Sequence, residues 1–188
     1  MINSKHPGNV FEKLIPSIPK GNALEIGPGS GRYSRVLAEN DFKVEAVDID
    51  KKALNKIEKY AKKKHLPITL YHQDIREFNF RLNHYNFICA IASLDFISKR
   101  DKEQVGRKIV KSLRENGQIF IIVFSKKDSM YPNKKMNFSS KEELKKIFKG
   151  IKTKIEERTF YEDHGVVGKH KHTVYIITGI KKEESAIR

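Results

Sequence analysis

Three glycines at alternate positions follow an acidic residue early in the chain, and they are the residues best suited to binding a ligand. Glu25 precedes Gly27, Gly29 and Gly31, after a short apolar stretch and ahead of a helical pattern that starts at Arg32. Glycine has no Cβ atom, so a ligand can lie against the backbone where a strand turns into a helix. A nearby carboxylate suits a ligand with a cationic or hydroxyl-rich part.

The spacing of these glycines argues against a dinucleotide site. The dinucleotide fingerprint is G-x-G-x-x-G with a pyrophosphate at the helix N-terminus, whereas this loop reads G-x-G-x-G. The carboxylate of Glu25 would also repel a pyrophosphate. A nicotinamide-dependent enzyme is therefore the least favoured functional hypothesis. Because glycines also occur in tight turns without a ligand, the prediction of a binding loop depends on acidic residues further along the chain.

Two aspartates follow later strand-like segments at positions suited to a nucleoside. Asp48 lies about twenty residues after the first acid, the distance at which α/β nucleotide-binding folds place an acid on ribose hydroxyls. Helix capping is an alternative role, but Asp50 is better placed to cap the helix that follows. Asp74 stands past a third strand-like segment, where it would accept a hydrogen bond from an adenine amine while Ile75 packs on the ring. Aspartate is common in turns, so this role depends on the other acids.

Apolar periodicity predicts alternating strands and helices. Strand-like patterns lie at 23–26, 43–47, 68–71, 85–91, 118–124, 151–161 and 173–180. One helix is predicted to end at a C-cap signal at Asn116 and Gly117, and another to run from a capping box at Ser140 to Lys149. Strands that alternate with helices favour an α/β fold with a parallel sheet.

Length and composition favour one globular domain. We expect the 188 residues to form a single domain over 1–188, including a helical leader at 1–20 and a frayed tail at 183–188. The one cysteine, Cys89, lies in an apolar run, so no disulfide framework forms and a cytoplasmic location is expected. The N-terminus has no signal-peptide pattern, and no apolar run is long enough to cross a bilayer.

The formal net charge of +15 leaves a nucleic-acid partner open. The lysines are scattered in pairs and triplets, and arginines interleaved with aromatic residues, the better sign of RNA binding, are few. A lysine-rich, solvated surface is therefore favoured over a nucleic-acid interface. The positive field would in either case attract anionic substrates.

Four segments stand in an order typical of one enzyme family. They are the acid and glycines of 25–32, Asp48 after the second strand, Gln73-Asp74-Ile75 after the third, and the apolar fourth strand from Tyr85. Together they resemble the class I S-adenosylmethionine-dependent methyltransferases over nearly the whole chain. Within that superfamily the chain is most similar to the small tellurite-resistance (TehB-type) methyltransferases, with likenesses that include 128–132 and 161–165. Pro28 stands where members usually have cysteine, and no clear Leu-His-Arg pattern precedes the last strand, which argues against an oxyanion substrate such as tellurite.

The resemblance implies a Rossmann-like α/β fold: a seven-stranded, mostly parallel sheet with helices on both faces and an antiparallel last strand. It also implies that S-adenosylmethionine binds over the first two strands and leaves as S-adenosylhomocysteine. The glycines would pass under the methionine part, Asp48 would hold the ribose and Asp74 the adenine. The full set of expected cofactor contacts is Glu25, Gly27, Pro28, Gly29, Gly31, Asp48, Ile49, Asp74, Ile75, Ala90 and Ile91.

The acceptor side offers three histidines near the end of the sheet. His164 is the first choice for a catalytic residue, with His170 and His172 as alternatives, although ordinary loop histidines would look the same. No third ligand accompanies His170 and His172, so no metal site is predicted. The segment 128–138 is polar and turn-rich and is expected to form part of a substrate lid. The leading hypothesis is a methyltransferase that acts on a small molecule; the alternatives are an RNA methyltransferase and a catalytically silent, S-adenosylmethionine-binding partner subunit.

Overall fold

The computed structural model describes residues 7–131, 133–163 and 169–182. The predictions made for His164 and for the tail at 183–188 therefore lie outside the described residues. In the described part the helices are α1 (Pro7–Leu14), α2 (Arg32–Ala38), α3 (Lys51–Lys64), α4 (Lys99–Ser112) and α5 (Lys141–Ile147), with 3-10 turns at Ile15–Ser17 and Leu94–Phe96. No helix of that part is both long and apolar enough to cross a membrane.

The strands form one sheet. They are β1 (Asn22–Ile26), β2 (Lys43–Asp48), β3 (Ile68–His72), β4 (Tyr85–Ile91), β5 (Leu113–Phe124), β6 (Lys152–Asp163) and β7 (Lys169–Ile180), and their order is β3-β2-β1-β4-β5-β7-β6. The pairs from β3 through to β5 are parallel, whereas β7 runs antiparallel to both β5 and β6. The predicted Rossmann-like α/β fold with a reversed last strand is confirmed.

Apolar side chains cover both faces of the sheet. On one face, α4 and α5 pack over a cluster that includes Leu24 and Ile26; on the other, α1 and α2 pack over one that includes Ala23 and Phe87. Side chains of a strand alternate between faces, so Glu25 shares the face of Ala23. This alternation sets the environment of the acid that precedes the glycine loop.

The boundary between α4 and β5 differs from the prediction. The helix ends at Ser112, and β5 already begins at Leu113, so the C-cap predicted at Asn116 and Gly117 is wrong. Backbone pairing explains the difference: the N–H of Asn116 donates to the carbonyl of Lys181 over 2.8 Å, and the N–H of Lys181 donates to the carbonyl of Gly117 over 2.9 Å. These bonds to the end of β7 replace the ones that a longer helix would have made.

Two predicted helix caps are present at the expected residues. Asp50 caps α3, since its side chain accepts hydrogen bonds from the N–H groups of Lys52 and Ala53. Ser140 and Glu143 form the predicted capping box of α5, although this helix ends at Ile147, two residues before the predicted end. The last two strands both extend further towards their connection than predicted.

Candidate active site

A crevice opens at the carboxyl edge of the sheet, where the strand order reverses. β1 leads on one side to β2 and β3 and has β4 on the other side, and ligands of open α/β sheets bind outside such a point. The loop after β1 turns there through Gly27 (φ 68°), Gly29 (φ 50°) and Gly31 (φ 77°). All three lie in the left-handed region that favours glycine. The turn brings the start of α2 over the end of β1.

Close packing explains why two of these positions have no room for a side chain, and the third position faces the crevice. A Cβ atom on Gly27 would lie 2.4 Å from the Cβ of Ser93, and one on Gly31 would lie 2.5 Å from Cγ1 of Ile57. A Cβ on Gly29 would meet no atom within 4 Å. Ser93 is itself held in place, because its hydroxyl donates to the carbonyl of Ile26 over 2.7 Å. Gly29 is therefore the glycine whose backbone faces open space.

Asp48 ends β2 beside this loop and presents its carboxylate at the crevice. Its Oδ2 accepts a hydrogen bond from the N–H of Gly29 over 3.3 Å, and its Oδ1 accepts one from the N–H of Asp50 over 2.9 Å. A carboxylate has about four lone-pair positions, so each oxygen keeps acceptor capacity for a further donor. Asp50 carries out the capping that was the alternative role for Asp48.

The crevice is a cavity of about 550 Å³. Seven of the expected cofactor contacts line it: Gly27, Gly29, Asp48, Ile49, Asp74, Ile75 and Ile91. Four do not: Glu25, Pro28, Gly31 and Ala90. Ile49 projects into solvent at the rim, 69% exposed. The three segments after β1, β2 and β3 thus meet around one space, with the end of β4 as its far wall.

Glu25 lies outside the cavity lining and differs from the expected acid. Its side chain is 1% exposed and accepts a hydrogen bond from the hydroxyl of Ser34 on α2. Burial raises the pKa of this carboxyl from 4.5 to about 8, a shift that the Ser34 bond only partly offsets. At neutral pH Glu25 is therefore protonated, and the expectation of an ionised carboxylate facing a ligand is wrong for the free protein. The alternation along β1 gives the reason, because it turns Glu25 towards α2.

Asp74 has a partner that the sequence analysis did not identify. The guanidinium of Arg76 donates to both carboxylate oxygens, from Nη2 to Oδ2 over 2.6 Å and from Nε to Oδ1 over 3.0 Å. The backbone N–H of Arg76 adds a bond to Oδ1 over 2.9 Å. These bonds hold the pKa of Asp74 below its usual value. The spacing Asp-x-Arg in a turn was the available signal.

Other lining residues were also missed. The wall beyond β4 includes Phe96 and Ile97, and the first turn of α4 adds Asp101. Phe96 is 63% exposed and places an aromatic ring on this wall. The sequence signal was weak, because this wall depends on how the 3-10 turn after β4 folds back.

A buried ion pair joins that 3-10 turn to α4. Asp95 is fully buried and Lys102 is 2% exposed. Nζ of Lys102 lies 3.4 Å from Oδ1 of Asp95 and donates to the carbonyl of Asn137 over 2.6 Å and to Oγ of Ser139 over 2.9 Å. Burial raises the pKa of Asp95 to about 6, and burial lowers the pKa of Lys102. The pair fastens the segment after β5 against the wall of the cavity.

The expected lid segment, 128–138, is packed at several points. Asp128 is 4% exposed; its Oδ2 accepts a hydrogen bond from the N–H of Thr173 over 2.6 Å and lies 3.2 Å from Nδ1 of His172. The His172 ring is 4% exposed and lies between the rings of Phe124 and Phe160. Between these packed points Ser129, Tyr131 and residues 133–135 are exposed, and Tyr131 is 49% exposed. His172 is therefore a packed side chain rather than one that faces open space.

The other two candidate histidines are His164 and His170. His164 lies outside the described residues, and of His170 the structure describes the backbone, which pairs with Glu162 in the β6–β7 ladder. Within 7–131, 133–163 and 169–182, no group of three or more histidine, cysteine, aspartate or glutamate side chains is arranged to hold a metal ion. Cys89 is buried in β4 and unpaired.

Comparison with known proteins points to one family. A family model described as "Methyltransferase domain" matches residues 23–117, just over half of the chain. No curated protein matches the sequence. The matched stretch begins at the second residue of β1 and contains the glycine loop, Asp48, Asp74 and the wall beyond β4.

Solved structures share the fold at low sequence identity. TehB from Haemophilus influenzae superposes with a TM-score of 0.82 at 18% identity, over 96% of this chain and 64% of that one. YcgJ from Bacillus subtilis gives 0.81 at 12% identity, over 95% and 99% of the two chains. Phosphoethanolamine N-methyltransferase 2 from Haemonchus contortus, in complex with S-adenosyl-L-methionine, gives 0.76 at 15% identity, over 94% and 52%. The chain thus spans less than two thirds of the length of the Haemophilus protein.

Proposed function

The chain belongs to the methyltransferase-domain family, and on that premise we propose that it transfers a methyl group from S-adenosylmethionine to a small-molecule acceptor. Its Rossmann-like fold is that of the class I S-adenosylmethionine-dependent methyltransferases. The observation that supports this most strongly is the single cavity at the point where the strand order reverses, with the segments after β1, β2 and β3 all on its lining.

Each part of the cofactor has a suitable neighbour in this proposal. The methionine part lies against the backbone of Gly27 and Gly29, which carry no side chain to exclude it. Asp48 accepts the hydrogen bonds of the ribose hydroxyls, and Asp74 accepts one from the adenine amine. Ile49 and Ile75 supply apolar contacts for the rings. Bound in this way, the cofactor supplies a methyl group on a positively charged sulfur that is ready to leave.

The chain's own contribution is chiefly to position the two reactants. In-line displacement needs the acceptor atom behind the methyl group, and well-aligned reactants gain up to roughly 7–11 kcal/mol from proximity and orientation. A general base is needed only where the acceptor carries a proton in the neutral pH range. His164 remains our candidate for that base. His172 is less suited to it, because its ring is buried beside Asp128.

A small acceptor is favoured over RNA and over a silent partner subunit. Proteins of the same fold include one from Haemonchus contortus in complex with phosphomonomethylethanolamine and S-adenosylhomocysteine. The RNA alternative is supported by the net charge of +15 alone. The silent alternative predicts cofactor binding without transfer.

We also propose a cytoplasmic location, since a chain with one cysteine can form no internal disulfide.

The test is transfer of a tritiated methyl group from S-adenosylmethionine. The protein is incubated with a desalted small-molecule extract in one arm and with total RNA in another, and label is followed by chromatography. We expect label in new small-molecule peaks that S-adenosylhomocysteine suppresses. Label in RNA would replace the proposal with its first alternative, and cofactor binding with no label in either arm would favour the silent subunit.

A further inference from the structure

One arginine is held between two carboxylates on the wall of the cavity. Arg76 lies between Asp74 and Asp101, and all three side chains line the crevice. The guanidinium contacts both oxygens of Asp74, and its Nη1 lies 3.7 Å from Oδ2 of Asp101 in the first turn of α4. Nζ of Lys108, about two turns further along α4, donates to the backbone carbonyl of Arg76 over 2.8 Å. The arginine is thus fixed at both its backbone and its side chain.

This arrangement fixes the direction in which Asp74 can accept a hydrogen bond. Three N–H groups of Arg76, from the backbone, Nε and Nη2, occupy most of the roughly four lone-pair positions of the carboxylate. A two-pronged guanidinium contact also sets the plane of the carboxylate. The Asp74 side chain is 25% exposed and lines the cavity, so it keeps capacity to accept a further hydrogen bond there.

We propose that Arg76 is a positioning residue that aligns Asp74 with the 6-position of the purine, so that the site selects adenine over hypoxanthine. This inference rests on the proposed function, because it takes the cavity as the S-adenosylmethionine site. It goes further in assigning base selectivity to a pair of residues rather than to Asp74 alone. Arg76 itself does not contact the base in this account.

The chemistry of the two purines gives the reason. Adenine presents an amine at its 6-position, which donates to a carboxylate. Hypoxanthine presents a carbonyl oxygen there, which a fixed carboxylate repels, and its nearest donor is the N–H at the adjacent ring position. A carboxylate that Arg76 no longer holds can turn towards that N–H, so loss of Arg76 weakens adenine binding and relieves the rejection of hypoxanthine.

Charge alone does not account for this role. The usual pKa of an aspartate is 3.8, and the Arg76 bonds lower the pKa of Asp74 further. An aspartate side chain in water is ionised at neutral pH without an arginine partner. What the arginine contributes is orientation, and orientation affects two bases of the same shape differently.

The experiment compares two product analogues by calorimetric titration. S-adenosylhomocysteine and S-inosylhomocysteine are titrated into the wild type, Arg76→Gln and Arg107→Gln, the last removing an arginine from an exposed pair with Glu103 on α4. We expect the wild type to prefer the adenine compound by roughly 30-fold, in line with a hydrogen bond to a charged acceptor, and Arg76→Gln to prefer it less than about 5-fold. Arg107→Gln should keep the wild-type ratio.

A fourth protein separates orientation from charge. Arg76→Lys keeps the positive charge but cannot make the two-pronged contact, so we expect its selectivity to stay near that of Arg76→Gln. Wild-type selectivity in Arg76→Lys, or equal losses for both analogues in Arg76→Gln, would overturn the inference. Failure of the wild type to bind S-adenosylhomocysteine would instead overturn the proposed function, and the inference with it.

Discussion

The two halves of the carboxyl edge use their acidic residues in opposite ways. Over β2 and β3, Asp48 and Asp74 line an open cavity, and their partners are backbone N–H groups and an arginine that is 54% exposed. Past β4 and β5, Asp95 and Asp128 are 0% and 4% exposed and are paired with Lys102 and His172. The first half keeps acceptors available for a ligand. In the second half Asp95 and Asp128 instead hold chain segments together, through bonds to the N–H groups of Phe124 and Thr173.

The difference bears on where the chemistry lies. A nucleoside-like cofactor needs fixed acceptors at set distances, and the first half has them without a ligand. The second half offers packed histidine and aromatic side chains, with Phe96, Tyr131 and Tyr161 as exposed exceptions. The first half is therefore suited to a nucleoside-like cofactor, and Asp95 and Asp128 of the second half are suited to holding the segments around β5 in place. The experiments below test this division, in order of decreasing effect.

The buried pair of the second half should give the largest effect on stability. Removing one partner of a buried ion pair leaves the other charge uncompensated, which destabilises by about 3–5 kcal/mol. We therefore expect Lys102→Met to lower the free energy of unfolding by that amount in urea titrations. The loss should be greatest above pH 6, where the Asp95 carboxyl, with its pKa of about 6, is ionised in the wild type.

Lys99→Met is the matched control for that variant. Lys99 also lies on α4 and pairs with Glu143, but its side chain is 59% exposed. Pairs of this kind contribute about 0.2–1 kcal/mol. Equal losses in the two variants would show that the buried network does not fasten the segment after β5, and the contrast between the halves would fail.

Two glycines of the first half should separate stability from binding. In Gly27→Ala the new Cβ meets Ser93 in a left-handed conformation, so we expect a loss of about 2–3 kcal/mol from overpacking and strain. In Gly29→Ala the Cβ meets open space, so only the strain remains, about 1 kcal/mol. Thermal melts measure both.

Cofactor affinity then tests whether the cofactor occupies the open space beside Gly29. The Cβ of Gly29→Ala projects towards the proposed path of the methionine part, so S-adenosylhomocysteine should bind at least about tenfold more weakly although the protein is folded. Unchanged affinity in Gly29→Ala would mean that the cofactor does not lie against this backbone.

The pKa of Glu25 predicts a pH dependence with a definite sign. Because burial raises this pKa from 4.5 to about 8 in the folded state, the unfolded chain loses the proton first as the pH rises. The stabilisation from this group is complete below pH 4.5 and is lost as the pH rises towards 8, at up to about 1.4 kcal/mol per pH unit. Glu25→Gln removes the carboxyl, so its stability relative to the wild type should increase steadily between pH 5 and 8. A constant difference over that range would contradict the protonated state.

Local features of the site were predictable from the sequence, and non-local ones were not. The glycine loop, the cap at Asp50 and the position of Asp48 after β2 depend on neighbours in the sequence. The burial of Glu25 follows from strand alternation with Ala23, but its partner Ser34 depends on how α2 packs. The contact between Lys102 and Asn137 joins residues that no periodicity relates.

The boundary at the start of β5 also depends on a contact that the local sequence does not predict. Asn116 and Gly117 carry a common helix-end signal, yet their hydrogen bonds go to Lys181 at the end of β7. Pairing between strands distant in sequence decided the structure there. The reversal of β7 was expected only from the family resemblance, not from the periodicity.

The most direct test of the central claim is calorimetric titration of S-adenosylhomocysteine into the wild type, Asp48→Asn and Asp50→Asn. Asp48 contacts the loop and lines the cavity, whereas Asp50, two residues on, caps α3. Asparagine also caps helices well, so Asp50→Asn is a neighbouring change of the same chemistry. We predict micromolar binding by the wild type and by Asp50→Asn, and binding weaker by at least about tenfold in Asp48→Asn, from loss of a charged acceptor. No binding by the wild type, or equal binding by all three proteins, would contradict the placement of the cofactor in this cavity.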